Sequence, residues 1–347
     1  MKRRHFWLGV VVSAAFIALA LSRVEDWAQF GDAFVKADYR WLPLVIAANF
    51  FLTFLRAVRW RYILNQTSRV TLRTAWVSYL VCYMGNNIFP LRAGELMRVF
   101  FAGKLEPGLD YSEALATVVV ERLFDFIVML MFLAVVLLTI SFPEKEAGLQ
   151  RQVHGFAAAT LTGSLLLLAF LILLHLRKRQ TTALVAFFLR PLPAKWRERI
   201  MAELERFTTG LEIMGRPLAL LAVTVMGVVI WLAGLLPIWL SGQAFQINIG
   251  FMAQLFMAVA IVAAVSIPAA PGFFGTFHSF NQMALIFIMQ VQHGREISGG
   301  TALAFAVVLH ACYWFPMIVA GAFVAWREGY SLTRLRAEAE KSVESDL

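Results

Sequence analysis

Residues 113–140 read EALATVVVERLFDFIVMLMFLAVVLLTI. The run exceeds the roughly 20 residues a helix needs to cross a hydrocarbon core about 30 Å thick. In lipid no water satisfies bare peptide groups, so such a run folds as a helix. Three charges interrupt it: Glu121, Arg122 and Asp125. Near the bilayer centre each costs about 2.5–3.5 kcal/mol on insertion scales, so they must pair or meet water. Their spacing permits pairing. Glu121 and Asp125 are four apart and share a helix face, and Arg122 and Asp125 are three apart and can touch. By helical rise Glu121 stands about 13 Å into the span, near the midplane.

Comparable apolar runs lie at 6–21, 41–55, 155–176, 218–240, 251–267 and 301–326. The 347-residue chain is 60% hydrophobic and 15% charged, against about 25% charged in soluble domains. Two apolar segments are broken. Residues 74–103 are interrupted by Gly85-Asn86-Asn87-Ile88-Phe89-Pro90-Leu91-Arg92-Ala93-Gly94-Glu95, and the part after the break is too short to cross. Residues 251–292 are interrupted by Pro268-Ala269-Ala270-Pro271-Gly272-Phe273-Phe274-Gly275. Proline breaks the hydrogen-bond ladder and glycine permits close backbone approach. The expected fold is an all-α polytopic membrane bundle of about six full spans plus two broken, re-entrant hairpins entering from opposite faces. For the second segment, two spanning arms have the same parity. Opposed broken elements whose half-helix ends meet near the midplane are a transporter device, although no residue-level repeat accompanies them here.

Charge orients the bundle. Of the 31 Lys and Arg, twenty-two fall in the stretches 1–5, 56–73, 104–112, 177–216 and 327–347, and six fall in the alternate ones. The positive-inside rule then places both termini in the cytoplasm of a bacterial-type plasma (inner) membrane. Residues 1–328 are expected to form one transmembrane domain, and 329–347 a cytoplasmic tail. The start, Lys2-Arg3-Arg4 before an apolar run ending Ala18-Leu19-Ala20, admits a cleaved signal peptide; a retained first helix suits its length better. Within the domain, residues 181–214 mix Phe187, Phe188, Trp196 and Ile200 with Arg190, Lys195, Arg197 and Arg199. They read as amphipathic helices on the cytoplasmic surface, broken at Pro191 and Pro193, or as a linker packed on the bundle.

The net charge of +9 does not point to nucleic acid, because the basic residues sit in loops between spans. Cys82 and Cys312 lie in apolar segments without metal spacing, and neither zinc nor phosphate-loop motifs occur. No metal or cofactor is expected. The chemistry therefore rests on the charges inside the apolar region. In the first hairpin Arg92, Glu95 and Arg98 repeat every three residues. With Glu121, Arg122 and Asp125 they either cross-link helices or line a hydrated cavity that holds an anionic group through bidentate arginines and helix dipoles. The broken backbone around them, Asn86, Asn87, Pro90 and Gly94, favours the cavity. Pro268, Pro271, Gly272 and Gly275 would shape its other side. Arg56, Arg59 and Arg61 beside Trp60 read as an interfacial anchor, a lipid-phosphate contact, or both. His278 and His310 are packing residues or a proton relay.

At these motifs the chain resembles the flippase-like membrane family that includes the transmembrane half of lysylphosphatidylglycerol synthase. The matching pieces are Arg56-Ala57-Val58-Arg59-Trp60, Asn87 through Pro90-Leu91-Arg92-Ala93-Gly94-Glu95 to Arg98, Glu121-Arg122-Leu123-Phe124-Asp125, and Pro271-Gly272-Phe273-Phe274-Gly275. The resemblance runs over about residues 5–328. It implies handling of a polar lipid or a lipid-linked intermediate between leaflets. Many relatives carry a Glu shortly after the second break, where this chain has Phe277-His278. Only about 20 residues follow the last span, so lysyl transfer by this chain alone is not expected.

The expected function is a lipid translocase. Arg92, Arg98 and Arg122 would hold an anionic phospholipid or polyprenyl-linked headgroup, Glu95, Glu121 and Asp125 would orient them, and Asn86 and Asn87 would hydrogen-bond it. Two rivals stand beside it. One is a membrane-embedded transferase whose carboxylates act as general bases. The other is a scaffold that anchors a lipid-modifying enzyme through 181–214.

Overall fold

The computed structural model describes residues 3–89, 93–139, 147–191, 193–212 and 217–330, and every regular element among them is helical. The chain opens with α1 (Arg3–Ser22) and α2 (Trp27–Lys36), bent against each other by 92°. Asp26 sets the bend by accepting the Ala28 and Gln29 amides as the N-cap of α2. Then follow α3 (Leu42–Leu64), α4 (Leu72–Ile88), α5 (Gly94–Leu105), α6 (Tyr111–Thr139) and α7 (Ala147–Leu176). Next come α8 (Lys178–Phe188), α9 (Ala194–Glu212), α10 (Pro217–Ala233), α11 (Leu235–Ala244), α12 (Phe251–Ser266), α13 (Thr276–His293) and α14 (Gly299–Arg327). Five stretches among the described residues are long and apolar enough to cross a membrane, six with the bent α1–α2 pair. That agrees with the expected six. One boundary is corrected. The second span does not stop at Leu55; α3 continues through its arginines to Leu64, because Arg56 and Arg59 are paired inside the bundle rather than hydrated at its edge.

Both expected hairpins are present. Helices α4 and α5 pack side by side, and the approach depends on Gly94, where a Cβ would lie 1.9 Å from the Cys82 carbonyl oxygen. At the open end of this hairpin Glu106 accepts from the Thr71 amide (3.0 Å) and the Thr74 hydroxyl (2.9 Å). Partial burial would raise the Glu106 carboxyl, but these hydrogen bonds hold it below its ordinary value. The second hairpin joins α12 to α13 through a 3₁₀ turn at Pro271–Phe273. Gly272 (φ 78°), Phe273 (φ 58°) and Gly275 (φ 88°) turn the chain with left-handed backbone there.

The hairpins start from opposite ends of α3. The Asp38 amide, just before α3, donates to the Ala244 carbonyl (2.8 Å), so α12 begins at that end. The far end of α3 leads directly into α4, where Arg73 pairs with Glu328 beyond α14. The 3₁₀ turn of the second break packs against α4, so the two breaks meet in the interior. Helices α8 and α9 form the expected broken pair, with Phe187, Phe188 and Trp196 exposed and Leu204 packed against a cluster of Phe124, Ile63 and Val223.

Gly94→Ala should lower the thermal unfolding midpoint of detergent-purified protein, by a loss of about 1–3 kcal/mol typical of overpacking. Gly108→Ala is the control, since a Cβ there meets nothing within 4 Å. Equal midpoints for the two variants would mean that the hairpin does not pack this tightly.

Candidate substrate site

Arg56 and Arg59 of α3, Glu95 and Arg98 of α5, and Glu121, Arg122 and Asp125 of α6 form one largely buried network. Arg59 is fully buried and binds both acids of α6. Its Nη1 and Nη2 donate to the two Asp125 oxygens (2.7 and 3.0 Å), and Nη2 also donates to Glu121 Oε1 (2.9 Å). The Tyr79 hydroxyl donates to the same Glu121 oxygen at 2.6 Å. The other Glu121 oxygen accepts from Arg98 Nη2 at 3.0 Å, and Glu95 pairs with Arg98 at 3.2 Å. The Arg98 guanidinium sits in the corner of two edge-on rings, 4.5 Å from the Trp60 centroid and 4.3 Å from that of Tyr79. The Trp60 indole N–H donates to the Thr117 hydroxyl at 3.0 Å. The short bonds to the Glu121 and Asp125 carboxylates are the strong, charge-assisted kind.

Two further arginines sit at the margin of this network with longer pairs. Arg122 approaches Asp125 at 3.6 Å, and Glu95 and Glu121 at 3.8 Å. Arg56 comes only within 3.9 Å of Asp125. The Nε of each is buried without a hydrogen-bond partner. Four arginines thus face three carboxylates, one cation in excess among the described residues.

Arg56 and Arg122 line a cavity of about 450 Å³. It opens where the two breaks meet, with Asn86, Asn87 and Glu95 from the first hairpin and Val265, Ser266 and Phe273 from the second. The rest of its wall is largely apolar and aromatic, including Tyr83, Trp231, Tyr313 and Trp314. Phe126 is 49% exposed and Ser266 is exposed, yet both line the cavity, so it reaches the outer surface of the bundle between α6 and α12.

The structure therefore divides the residues that sequence brought together. Asn86, Asn87, Glu95, Arg122 and Asp125 line the cavity. Arg98 and Glu121 do not; both are fully buried behind it. Arg92 and Pro90 lie outside the described residues. Gly94 closes the first hairpin. At the second break, Pro268 is exposed and Pro271 opens the 3₁₀ turn. Gly275 packs on α1, where a Cβ would lie 2.3 Å from the Ser13 carbonyl oxygen. His278 does not line the cavity; its Nδ1 accepts the Gly275 amide at 3.3 Å. His310 does line it, and its Nε2–H donates to the Gly272 carbonyl at 2.8 Å.

The reading of Arg59 and Trp60 as an interfacial anchor is corrected. Both are fully buried, and Arg59 is the hub of the network. The signal was available, since Tyr62-Ile63-Leu64 continue the apolar pattern beyond the arginines and so carry the helix onward. The indoles Trp231 and Trp314 gave no comparable signal, because a tryptophan in an apolar run reads the same whether it faces lipid or a cavity.

Over residues 6–321 the chain matches the family described as lysylphosphatidylglycerol synthase TM region. It is also similar to a UPF0104 membrane protein of Pyrococcus horikoshii, 24% identical over 304 residues that cover 84% of this chain and 88% of the relative. The chain belongs to the lysylphosphatidylglycerol synthase TM region family.

Proposed function

From a multi-pass membrane protein of that family, we propose a translocase that passes a lipid with an anionic headgroup between the leaflets of a plasma (inner) membrane. One observation carries the reading: a cavity at the junction of two opposed hairpin breaks, with two loosely paired arginines in a wall that is otherwise largely apolar and aromatic. A phosphate fits the arginine pole because guanidinium donors are matched to it bidentately. Acyl or prenyl chains stay in hydrocarbon through the opening at Phe126 and Ser266. Irregular backbone is tolerated at membrane depth where it lines such a cavity. The substrate site is Arg56 and Arg122 with Asn86 and Asn87. Asp125 and Glu95 orient Arg122, and Arg59, Arg98 and Glu121 hold the frame.

Leaflet exchange tests this directly. Purified protein in liposomes carrying fluorescent anionic and zwitterionic lipids is followed with a membrane-impermeant quencher. Wild type should exchange the anionic lipid, and the double variant Arg56→Ala/Arg122→Ala should not. A folded wild type that exchanges no lipid, but turns over a labelled lipid-linked substrate, would establish the transferase instead. Ser266→Trp should slow exchange severalfold with folding intact, because the new side chain occupies the opening. An unchanged rate in that variant would remove the α6–α12 route.

A further inference from the structure

The helices between α7 and α10 carry a surface that the cavity does not use. α7 ends at Leu176 and α10 begins at Pro217, and each belongs to a stretch long and apolar enough to cross a membrane. The arm formed by α8 and α9 is therefore tied to the membrane boundary at both ends. Packing fixes its height. Leu204 of α9 clusters with Ile63 at the end of α3, with Ala219 and Leu220 at the start of α10, and with Phe170 toward the end of α7. The arm thus runs at the level where three helices reach the membrane surface.

The bundle covers only part of the arm's apolar side. Trp196, Ile200 and Leu204 stand four apart and form one stripe along α9. Leu204 is packed, Ile200 is 37% exposed and Trp196 is 58% exposed. The uncovered end of the stripe continues the covered one, so it faces the membrane boundary rather than away from it. On α8, Leu184, Phe187 and Phe188 share one side by their spacing, and all three are exposed. Charge surrounds these side chains. Residues 177–200 hold seven Lys and Arg against the single acid Glu198, and Arg179, Arg190, Lys195 and Arg199 are exposed. The Arg190 guanidinium lies over the Phe187 ring, 5.0 Å from its centroid.

Aromatic side chains set among cations at this depth suit the headgroup layer of an anionic leaflet. A soluble acidic partner would use the cations but would not need an apolar stripe level with the helix ends. The basic loops predict that this side is cytoplasmic, where anionic lipids give the surface a negative potential.

We propose that α8 and α9 form a docking arm for the anionic leaflet beside them. Leu184, Phe187, Phe188, Trp196 and Ile200 enter the boundary between headgroups and acyl chains, and Arg190, Lys195 and Arg199 select negative lipid. The assignment is independent of what the cavity carries.

Fluorescence quenching tests it on the full-length protein in lipid nanodiscs. An aromatic fluorophore on Phe188→Cys takes the place of the ring, while the native Cys82 and Cys312 are buried. Each disc contains a doxyl-labelled phosphatidylcholine, which quenches a fluorophore that reaches the acyl boundary. The remaining lipid is phosphatidylcholine alone or mixed with phosphatidylglycerol. Quenching should rise about threefold or more in the mixed discs and fall back at high salt, which screens exposed charges. In Arg190→Gln/Lys195→Gln/Arg199→Gln the rise should vanish with the thermal unfolding midpoint unchanged, since all three side chains are exposed. A label on Gly31→Cys, in open space on α2, should be quenched equally in both discs. Weak quenching at position 188 in both discs would leave the face to water or a soluble partner and overturn the docking arm. Strong quenching in both would overturn its selection of negative lipid. A rise that survives the triple substitution, or one of equal size at position 31, would remove the role given to the three cations.

Discussion

Glu121→Ala should leave little folded protein, with a loss of about 3–5 kcal/mol. The carboxylate is fully buried and holds three partners at short range: Arg59 at 2.9 Å, Arg98 at 3.0 Å and the Tyr79 hydroxyl at 2.6 Å. Removing one member of a buried ion network costs about that much, because the charges left behind can neither rehydrate nor move away. A protein is stable by only about 5–15 kcal/mol in total, so the variant should aggregate on size exclusion or unfold at a markedly lower temperature. Glu121→Gln is the informative companion. It keeps an acceptor for Tyr79, while Arg59 retains Asp125 and Arg98 retains Glu95. Its loss should therefore be smaller. Wild-type thermal stability in the alanine variant would show that the network is not what holds α3, α5 and α6 together.

That frame was partly legible in the sequence. Glu121 and Asp125 sit four apart and were read onto one helix face, and they share a partner across it. For Asp125 the sequence offered Arg122, three residues away on the same helix. The closer partner is Arg59, 62 and 66 residues earlier in the chain. Helical periodicity describes neighbours along one helix, and it is silent about which distant helix packs alongside. The broken hairpins were legible for a different reason. Asn, Pro and Gly inside an apolar run act locally on backbone geometry, so Gly94 and Gly272 marked the turns before any packing was known. The division of the charges into a buried frame and a cavity wall was not legible, since it depends on where α5 and α6 touch.

Arg122→Ala should remain folded and lose leaflet exchange of an anionic lipid by about tenfold to a hundredfold. The two halves of the expectation rest on the same geometry. Arg122 pairs with its carboxylates no closer than 3.6 Å and its side chain is 33% exposed, so its removal strands no tight partner. Asp125 keeps both hydrogen bonds from Arg59, and Glu95 keeps Arg98. Loosely held guanidinium donors on a cavity wall are free for a ligand, and a hydrogen bond to a charged group is worth about 1.5–3 kcal/mol, where 1.4 kcal/mol is a factor of ten. Arg122→Lys keeps the charge but not the fork, so it should recover only part of the rate. Arg98→Ala provides the contrast: fully buried against Trp60 and Tyr79, it should fail in folding before it can be assayed for transport. Thermal unfolding and quencher accessibility, measured on all three variants, separate frame from site. If Arg122→Ala exchanges lipid at the wild-type rate, the arginine pole is not where the headgroup sits. If it unfolds as Arg98→Ala does, Arg122 belongs to the frame, and the site must be sought at Arg56, Asn86 and Asn87.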